Sequence, residues 1–337
     1  MRIGIDMGGM SVKLGLVDDK NQIVEKLVIP TRLDVPAEDM VKDIIRAVYV
    51  LMDKGKVTFE NCTGIGIGSP GTLDDKNGLI LYSNNFGWER VPIVKWMQRE
   101  FPLSVKLAND ADAAALGEVY AGAARGVKNA VLLTLGTGVG GGVILNGEIF
   151  HGPLHGGVEL GHMVIQADGE PCTCGRKGCL EAYASATALL RMAKKAAKEN
   201  PASVMNRLCG NRLECMNGEI PFQAADMGDE AAKSVIAEYE FYLATGIANV
   251  INIFRPEMVI LGGGVAAQKE NLTQPLEEMV RELCFGGSHG EVARIVTSKL
   301  GNDAGIIGAA SLFYCWLSMA PPVQEVSFTV QHHLHKG

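Results

Sequence analysis

The chain has 337 residues, of which 47% are hydrophobic and 20% are charged, proportions that are ordinary for a globular enzyme. Its net charge of −7 argues against a nucleic-acid-binding protein, which usually carries a basic stripe. No stretch approaches the roughly 20 apolar residues that span a bilayer, and the N-terminus lacks the apolar core of a signal peptide. We therefore expect a cytoplasmic protein whose eight cysteines are buried side chains or metal ligands, with no disulfide framework.

Two similar hairpins lie far apart in the chain, each made of a strand, a glycine turn and a second strand. The first runs from Ile3 to Leu16 with apolar residues at alternate positions. The second occupies residues 130–150, where the glycine-rich run 136–142 separates two apolar segments. A repeat of this kind favours two related lobes.

The segments around these hairpins alternate between helical and strand patterns. Apolar residues at helical spacing predict helices over 37–54, 186–199, about 227–253 and 304–317. Buried strands are predicted before the glycines of "GIGIGSPG" at 64–71 and within 257–265. Such alternation indicates an α/β architecture.

The glycine runs are candidate phosphate-binding turns, because glycine lets backbone N–H groups approach an anion closely. The chain has no G-x-x-x-x-G-K-[ST] motif. The run 136–142 leads into a strand, whereas a dinucleotide-binding loop leads into a helix. The alternative for each single run is a tight turn without a ligand.

Asn109 and Asp110 follow a predicted strand and precede an alanine-rich helix, a position where ligands commonly bind. The alternative is an ordinary helix N-cap, which explains one of the two polar residues but not both.

Three cysteines and a histidine are spaced His162-x9-Cys172-x-Cys174-x4-Cys179. This set suits a closed, tetrahedral zinc site, and the alternative is a group of unligated thiols beside a core histidine. A redox pair is disfavoured because no C-x-x-C occurs. We interpret the C-terminal His332, His333 and His335 as a solvated end.

Taken together, these motifs resemble the ROK family (repressors, open reading frames and sugar kinases), and within it the bacterial glucokinases. The resemblance runs from Ile3 to about Leu317 and includes "DMGGMSVKLG", "NNFGW", "NDADAAALGE", "TLGTGVGGGVILNG", "GVELGH", "CTCGRKGCLE" and "NDAGIIGAA". It implies the actin-like/hexokinase (ribonuclease H-like) ATPase fold, in which two α/β lobes flank a cleft. The implied small lobe is 1–118 with about 303–320, the large lobe is 119–302, and 321–337 is a tail.

The resemblance also implies a role for each matching residue. ATP phosphates would be bound by Gly8, Gly9, Ser11, Lys13, Gly136, Thr137 and Gly138. Asp6 would hold Mg²⁺ through water, and the adenosine would lie near Gly262, Gly263 and Gly264. The sugar would be surrounded by Gly71, Asn85, Asn109, Asp110, Glu159, His162 and Glu181. Asp110 would be the general base, and zinc would be bound by His162, Cys172, Cys174 and Cys179.

The activity that the resemblance implies is ATP-dependent phosphorylation of a hexose, foremost glucose, by a homodimer or homotetramer. The alternatives are a kinase for another hexose or an N-acylhexosamine, and a catalytically weak sugar-binding protein. A repressor is disfavoured because the first glycine loop begins too early for a preceding helix-turn-helix. The chain departs from the family pattern at Met10, usually threonine, and at Asp112, usually asparagine. The side chain of Asp112 either lies close enough to raise the pKa of Asp110 or points away from it.

Overall fold

The computed structural model describes residues 1–152 and 156–314. Its strands are β1 (Arg2–Met7), β2 (Ser11–Val17), β3 (Ile23–Pro30), β4 (Gly64–Ser69), β5 (Thr72–Asp74), β6 (Leu79–Ser83), β7 (Trp88–Val91), β8 (Ser104–Asn109), β9 (Ala130–Leu135), β10 (Val139–Leu145), β11 (Glu148–Ile149), β12 (Met258–Gly262) and β13 (Arg294–Thr297). Its α-helices are α1 (Ala37–Lys54), α2 (Ile93–Glu100), α3 (Asp110–Ala121), α4 (Glu181–Ala184), α5 (Ala186–Glu199), α6 (Val204–Leu208), α7 (Ile220–Asp226), α8 (Glu230–Phe254), α9 (Glu270–Leu283) and α10 (Ala304–Ser311). The predicted tail 321–337, with its three histidines, lies outside the described residues.

The helices predicted from hydrophobic periodicity are present. Those expected over 37–54 and 186–199 have these bounds, as α1 and α5. The long helix α8 starts slightly later than predicted because Asp229 caps it, accepting hydrogen bonds from Ala231 N and Ala232 N. The last helix, α10, ends at Ser311 and a turn follows. Residues 315–317 of that prediction lie outside the described range.

Two five-stranded sheets repeat one topology. Their strand orders are β3-β2-β1-β4-β8 and β11-β10-β9-β12-β13. In each sheet the first strand of the hairpin pairs antiparallel with the second strand and parallel with the neighbour on its other side. The two related lobes predicted from the repeated hairpins are therefore confirmed. Their lobe boundaries, at residues 118 and 303, stay a prediction.

The helices α3 and α10 tie the two sheets together. α3 follows β8 of the first sheet, yet its Leu116 and Val119 pack into the core of the second sheet. In return, α10 follows the second sheet and packs against β1 and β4 of the first. The two helices cross backbone to backbone, since a Cβ on Gly308 would collide with the carbonyl oxygen of Ala113. The N-terminus of α3 is thereby fixed between the lobes.

Two large apolar cores support the sheets, one around β1, β4 and α1 and one around β9, β12 and α8. Trp88 is buried in the first of these cores against Phe86, with ring centroids 4.8 Å apart. The strands β5, β6 and β7 form a small separate sheet. Within the described ranges, no helix combines the length and the apolar character that crossing a membrane requires.

Candidate active site

A cavity of about 690 Å³ opens beside the carboxyl end of β8 and the N-terminus of α3. Among the residues that line it are six of the seven predicted sugar contacts: Gly71, Asn85, Asn109, Asp110, Glu159 and His162. These positions are spread over residues 71–162 of the chain, and the fold brings them to one place. Thr72, Tyr82, Asn84 and Thr173 also line the cavity and were not predicted from the sequence.

Asn109 and Asp110 divide two tasks at the start of α3. The Asn109 side chain caps the helix, accepting hydrogen bonds from Ala111 N at 2.9 Å and Asp112 N at 3.4 Å. Asp110 is the first helical residue, and its Oδ1 accepts from Ala111 N at 3.0 Å. The N-cap alternative therefore holds for Asn109 and leaves the Asp110 carboxylate facing the cavity.

The environment of Asp110 favours a proton acceptor. Burial, together with the negative charges of Asp6 and Glu159, raises its pKa from 3.8 to about 6, and the Ala111 N–H opposes the shift. A carboxylate with this pKa is ionised at neutral pH and is a stronger base than an exposed aspartate.

The first glycine loop joins β1 to β2 and approaches the cavity. Gly8 N donates to Ser11 O at 3.0 Å, and the Thr31 hydroxyl donates to Gly8 O at 2.6 Å. A Cβ on Gly9 would lie 3.8 Å from the Asn85 amide. Met10, at the tip, is 90% exposed and offers no hydroxyl. The loop thus presents backbone groups and Ser11 where the family pattern adds a threonine.

Asp6 and Lys13 form an ion pair on this hairpin, with Nζ 3.1 Å from Oδ2. Gly305, near the start of α10, allows the helix to come close, because a Cβ there would lie 2.6 Å from the Asp6 carboxyl carbon. Asp6 is an oxygen donor at the end of β1 beside the glycine loop, and such a carboxylate suits water-mediated Mg²⁺ binding.

The second glycine loop, between β9 and β10, contacts Glu181. Glu181 Oε2 accepts from Val139 N at 3.2 Å, while Oε1 accepts from the Thr173 hydroxyl at 2.7 Å. Of the seven predicted sugar contacts, Glu181 is the one not found among the described residues lining the cavity. In this structure it connects the second glycine loop to the cysteine-rich segment.

The glycines at 262–264 line a second cavity of about 340 Å³ between β12 and the start of α10. Its wall includes Glu118 of α3, whose side chain is fully buried. Glu118 Oε1 accepts from Lys299 N at 3.0 Å and Leu300 N at 2.8 Å, and Oε2 accepts from Ala123 N at 2.7 Å. Glu118 belongs to the motif "NDADAAALGE" but was not predicted as a site residue. Two of its partners, Lys299 N and Leu300 N, are backbone groups about half the chain away and carry no signal in the local sequence.

The cysteine-rich segment brings four potential metal ligands together. One ligand atom from each of His162, Cys172, Cys174 and Cys179 lies within 4.8 Å of the others. The sulfurs of Cys174 and Cys179 are 3.7 Å apart, and His162 Nδ1 is 3.6 Å from the Cys172 sulfur. Zinc–ligand lengths in a tetrahedral site require separations of about 3.8 Å and about 3.6 Å respectively. The donor set and its spacing therefore fit zinc.

A larger cavity, of about 1020 Å³, lies between α5, α8 and the segment 166–171. None of the predicted site residues lines it, and its described walls carry both basic and acidic side chains, among them Arg191, Glu199 and Glu238. The smaller cavity at Asp110 is the one in which the candidate catalytic groups converge.

Comparison with known protein families identifies the family to which this chain belongs. A family model described as the ROK family matches residues 2–315. The chain belongs to the ROK family.

Individual relatives agree with this assignment along the whole ROK domain. A glucokinase of Thermotoga maritima is 38% identical over 311 residues, which is 92% of this chain and 96% of that protein. A glucokinase of Halalkalibacterium halodurans is 36% identical over 312 residues, covering 92% and 94%. A crystal structure of a ROK family glucokinase from Streptomyces griseus, in complex with glucose and AMPPNP, is 33% identical with a TM-score of 0.76 and covers 92% of this chain and 98% of that one. The predicted two-lobed actin-like/hexokinase fold is confirmed.

Proposed function

We propose that this ROK protein transfers the γ-phosphoryl group of ATP to the 6-hydroxyl of glucose, with Asp110 as general base. The chain is a phosphotransferase of the hexokinase type. That its sugar substrate is glucose and that Asp110 is the general base are our proposals.

One observation carries the proposal: a partly buried aspartate of raised pKa stands in a cavity lined with amide and carboxylate groups, beside a glycine loop. Asn85, Asn109 and Glu159 supply hydrogen-bond partners suited to a ring of hydroxyls. A site that binds hydroxyls in this way rejects analogues that lack one, because buried polar groups would be left unpaired.

In the proposed reaction the 6-hydroxyl proton moves to the Asp110 carboxylate as the hydroxyl oxygen bonds to the γ-phosphorus. The bond between that phosphorus and the oxygen bridging it to the β-phosphate breaks, and ADP leaves. Proton transfer to a positioned base contributes about 10²–10⁴-fold. The remaining acceleration comes from alignment and charge neutralisation, which dominate phosphoryl transfer.

ATP would lie between the two glycine loops, with its phosphates near Gly8, Gly9, Ser11, Gly136 and Gly138 and its adenosine near 262–264. Asp6 and Lys13 are the charged groups of the first loop. Asp6 would hold Mg²⁺, which when bound neutralises phosphate charge. We place the enzyme in the cytoplasm, as a homodimer or homotetramer, on the strength of the family resemblance.

We also propose that zinc bound by the four Cys and His ligands is structural. The cluster adjoins the cavity through His162, Cys174 and Thr173. His162 turns Nδ1 toward Cys172, which leaves Nε2 as the nitrogen available to the sugar. Zinc would thus fix the wall of the sugar pocket.

The test is an ADP-release assay with ATP and a panel of hexoses and N-acylhexosamines. The proposal predicts the highest kcat/KM for glucose. A higher kcat/KM for mannose, fructose or N-acetylmannosamine would show that the protein is a kinase with a different sugar substrate. No turnover with any sugar, together with sugar binding by calorimetry, would make the protein a sugar-binding member of the family.

A further inference from the structure

Asp112 is a buried acid that the proposed reaction does not use. Its side chain is 1% exposed, and neither carboxyl oxygen has a hydrogen-bond partner among the described residues. Buried polar groups without partners are rare in folded proteins, and each one calls for an explanation. Asp112 lies two residues after Asp110 in α3, beneath Gly157 and outside the described lining of the sugar cavity.

The described charged groups that face Asp112 are all negative. From its own helix it faces Asp110, and from the small sheet region Asp75. From the segment that leads to the sugar pocket it faces Glu159 and Gly157, and a Cβ on Gly157 would lie 3.3 Å from Asp112 Oδ2. Among the described residues, the backbone of Val143 in β10 comes close enough to favour the ionised form, although it does not meet the geometry of a full hydrogen bond.

The segment that packs on Asp112 also forms part of the cavity. Gly156 and Gly157 have φ angles of +103° and +74°, a conformation that other residues rarely adopt. Val158 and Glu159 follow immediately, and both line the cavity. The position of Glu159 therefore depends on how this segment rests on α3.

We propose that Asp112 is a positioning residue for the sugar pocket: its neutral carboxyl packs under Gly157 and holds the segment that carries Glu159 beside Asp110. The inference rests on the proposed function, because it assigns Glu159 to sugar binding. Ionisation of Asp112 would place a third negative charge beside Asp110 and Glu159. The segment would then be displaced and the sugar would bind more weakly.

Electrostatics supports the neutral form. Burial is the largest cause that raises the pKa of Asp112, and the charge of Asp110 is the next, so that its pKa is about 8. Asp112 therefore keeps its proton while Asp110 ionises. The sequence left open whether Asp112 raises the pKa of the base or points away from it; in this structure the charge of Asp110 raises the pKa of Asp112.

The experiment measures glucose binding by titration calorimetry, without ATP, at pH 7 and pH 9. If only the neutral form of Asp112 binds sugar, the Kd of the native protein rises about 10-fold between these values, as follows from a single ionisation at about pH 8. Asp112→Asn, an uncharged side chain of the same size, is expected to show less than a 2-fold change over the same interval. Asp226→Asn, an exposed site at the end of α7, is the matched control and should behave as the native protein does.

Equal Kd values for the native protein at both pH values would overturn the inference and leave the proposed function intact. The same rise in Asp112→Asn would also overturn it, because another group would then be responsible. Absence of glucose binding at pH 7 would overturn the proposed function and this inference together. Failure of Asp112→Asn to fold, judged by its thermal transition, would contradict a neutral Asp112.

Discussion

Replacing Asp112 with asparagine should stabilise the protein, and increasingly so as the pH rises. In the folded state Asp112 has a pKa of about 8, against an ordinary value of 3.8. Between these two values the unfolded chain carries an ionised Asp112 while the folded protein must hold its proton. The contribution of Asp112 to the unfolding free energy of the native protein therefore falls as the pH rises from about 4 to about 8, and it does not fall below that interval. Asparagine does not titrate and avoids this cost.

The size of the effect follows from 1.36 kcal/mol for each unit of pKa difference that the pH has crossed. The gain in unfolding free energy is then about 2 kcal/mol at pH 5, about 4 kcal/mol at pH 7 and about 6 kcal/mol at pH 9. Other groups with a raised pKa, such as Glu240 with a pKa of about 7, contribute equally to both proteins, so that their effects cancel in the difference.

Urea unfolding of the native protein and of Asp112→Asn at these three pH values measures the difference directly. The trend with pH is the sharper test, since a packing effect of the amide would be the same at each value. A difference that is constant with pH, or a variant that is less stable at pH 7, would refute a buried neutral carboxyl.

The remaining predictions concern the metal cluster and the helix crossing. Cys174→Ser should lose zinc, as measured by plasma mass spectrometry, and raise the KM for glucose by about 10-fold or more; loss of zinc with an unchanged KM would show that the cluster does not order the sugar pocket. Gly308→Ala should lower the unfolding free energy by about 1–3 kcal/mol or more, because the added methyl meets the Ala113 backbone. Gly218→Ala, which adds its methyl to open space, is the control, and equal stabilities would contradict the close crossing.

Local patterns were sufficient for much of the fold. Hydrophobic periodicity gave the bounds of α1 and α5, and the two glycine hairpins predicted the repeated sheets. The exchange of α3 and α10 between the sheets was not predicted. It depends on backbone contact at Gly308, and nothing in the local sequence says which helix a glycine will meet.

The same holds for the site: residues marked by a local sequence pattern were predicted, and residues whose partners lie far along the chain were not. Asn109 and Asp110 were found because a strand end and a helix start adjoin in sequence. Glu118 was missed because its partners are main-chain N–H groups of Lys299 and Leu300, which carry no side-chain signature. Asp112 was noticed as a departure from the family pattern. Its burial and its charged neighbours could be known only from the packing of α3 on the 156–159 segment.

The central claim is that Asp110 is the base of a glucose-phosphorylating reaction. The most direct test measures ATP-dependent formation of glucose 6-phosphate by the native protein and by Asp110→Asn, with the Kd for glucose determined on the same samples. We expect kcat to fall by about 10²–10⁴-fold in the variant while the Kd changes little. Turnover of Asp110→Asn at the native rate would contradict the account.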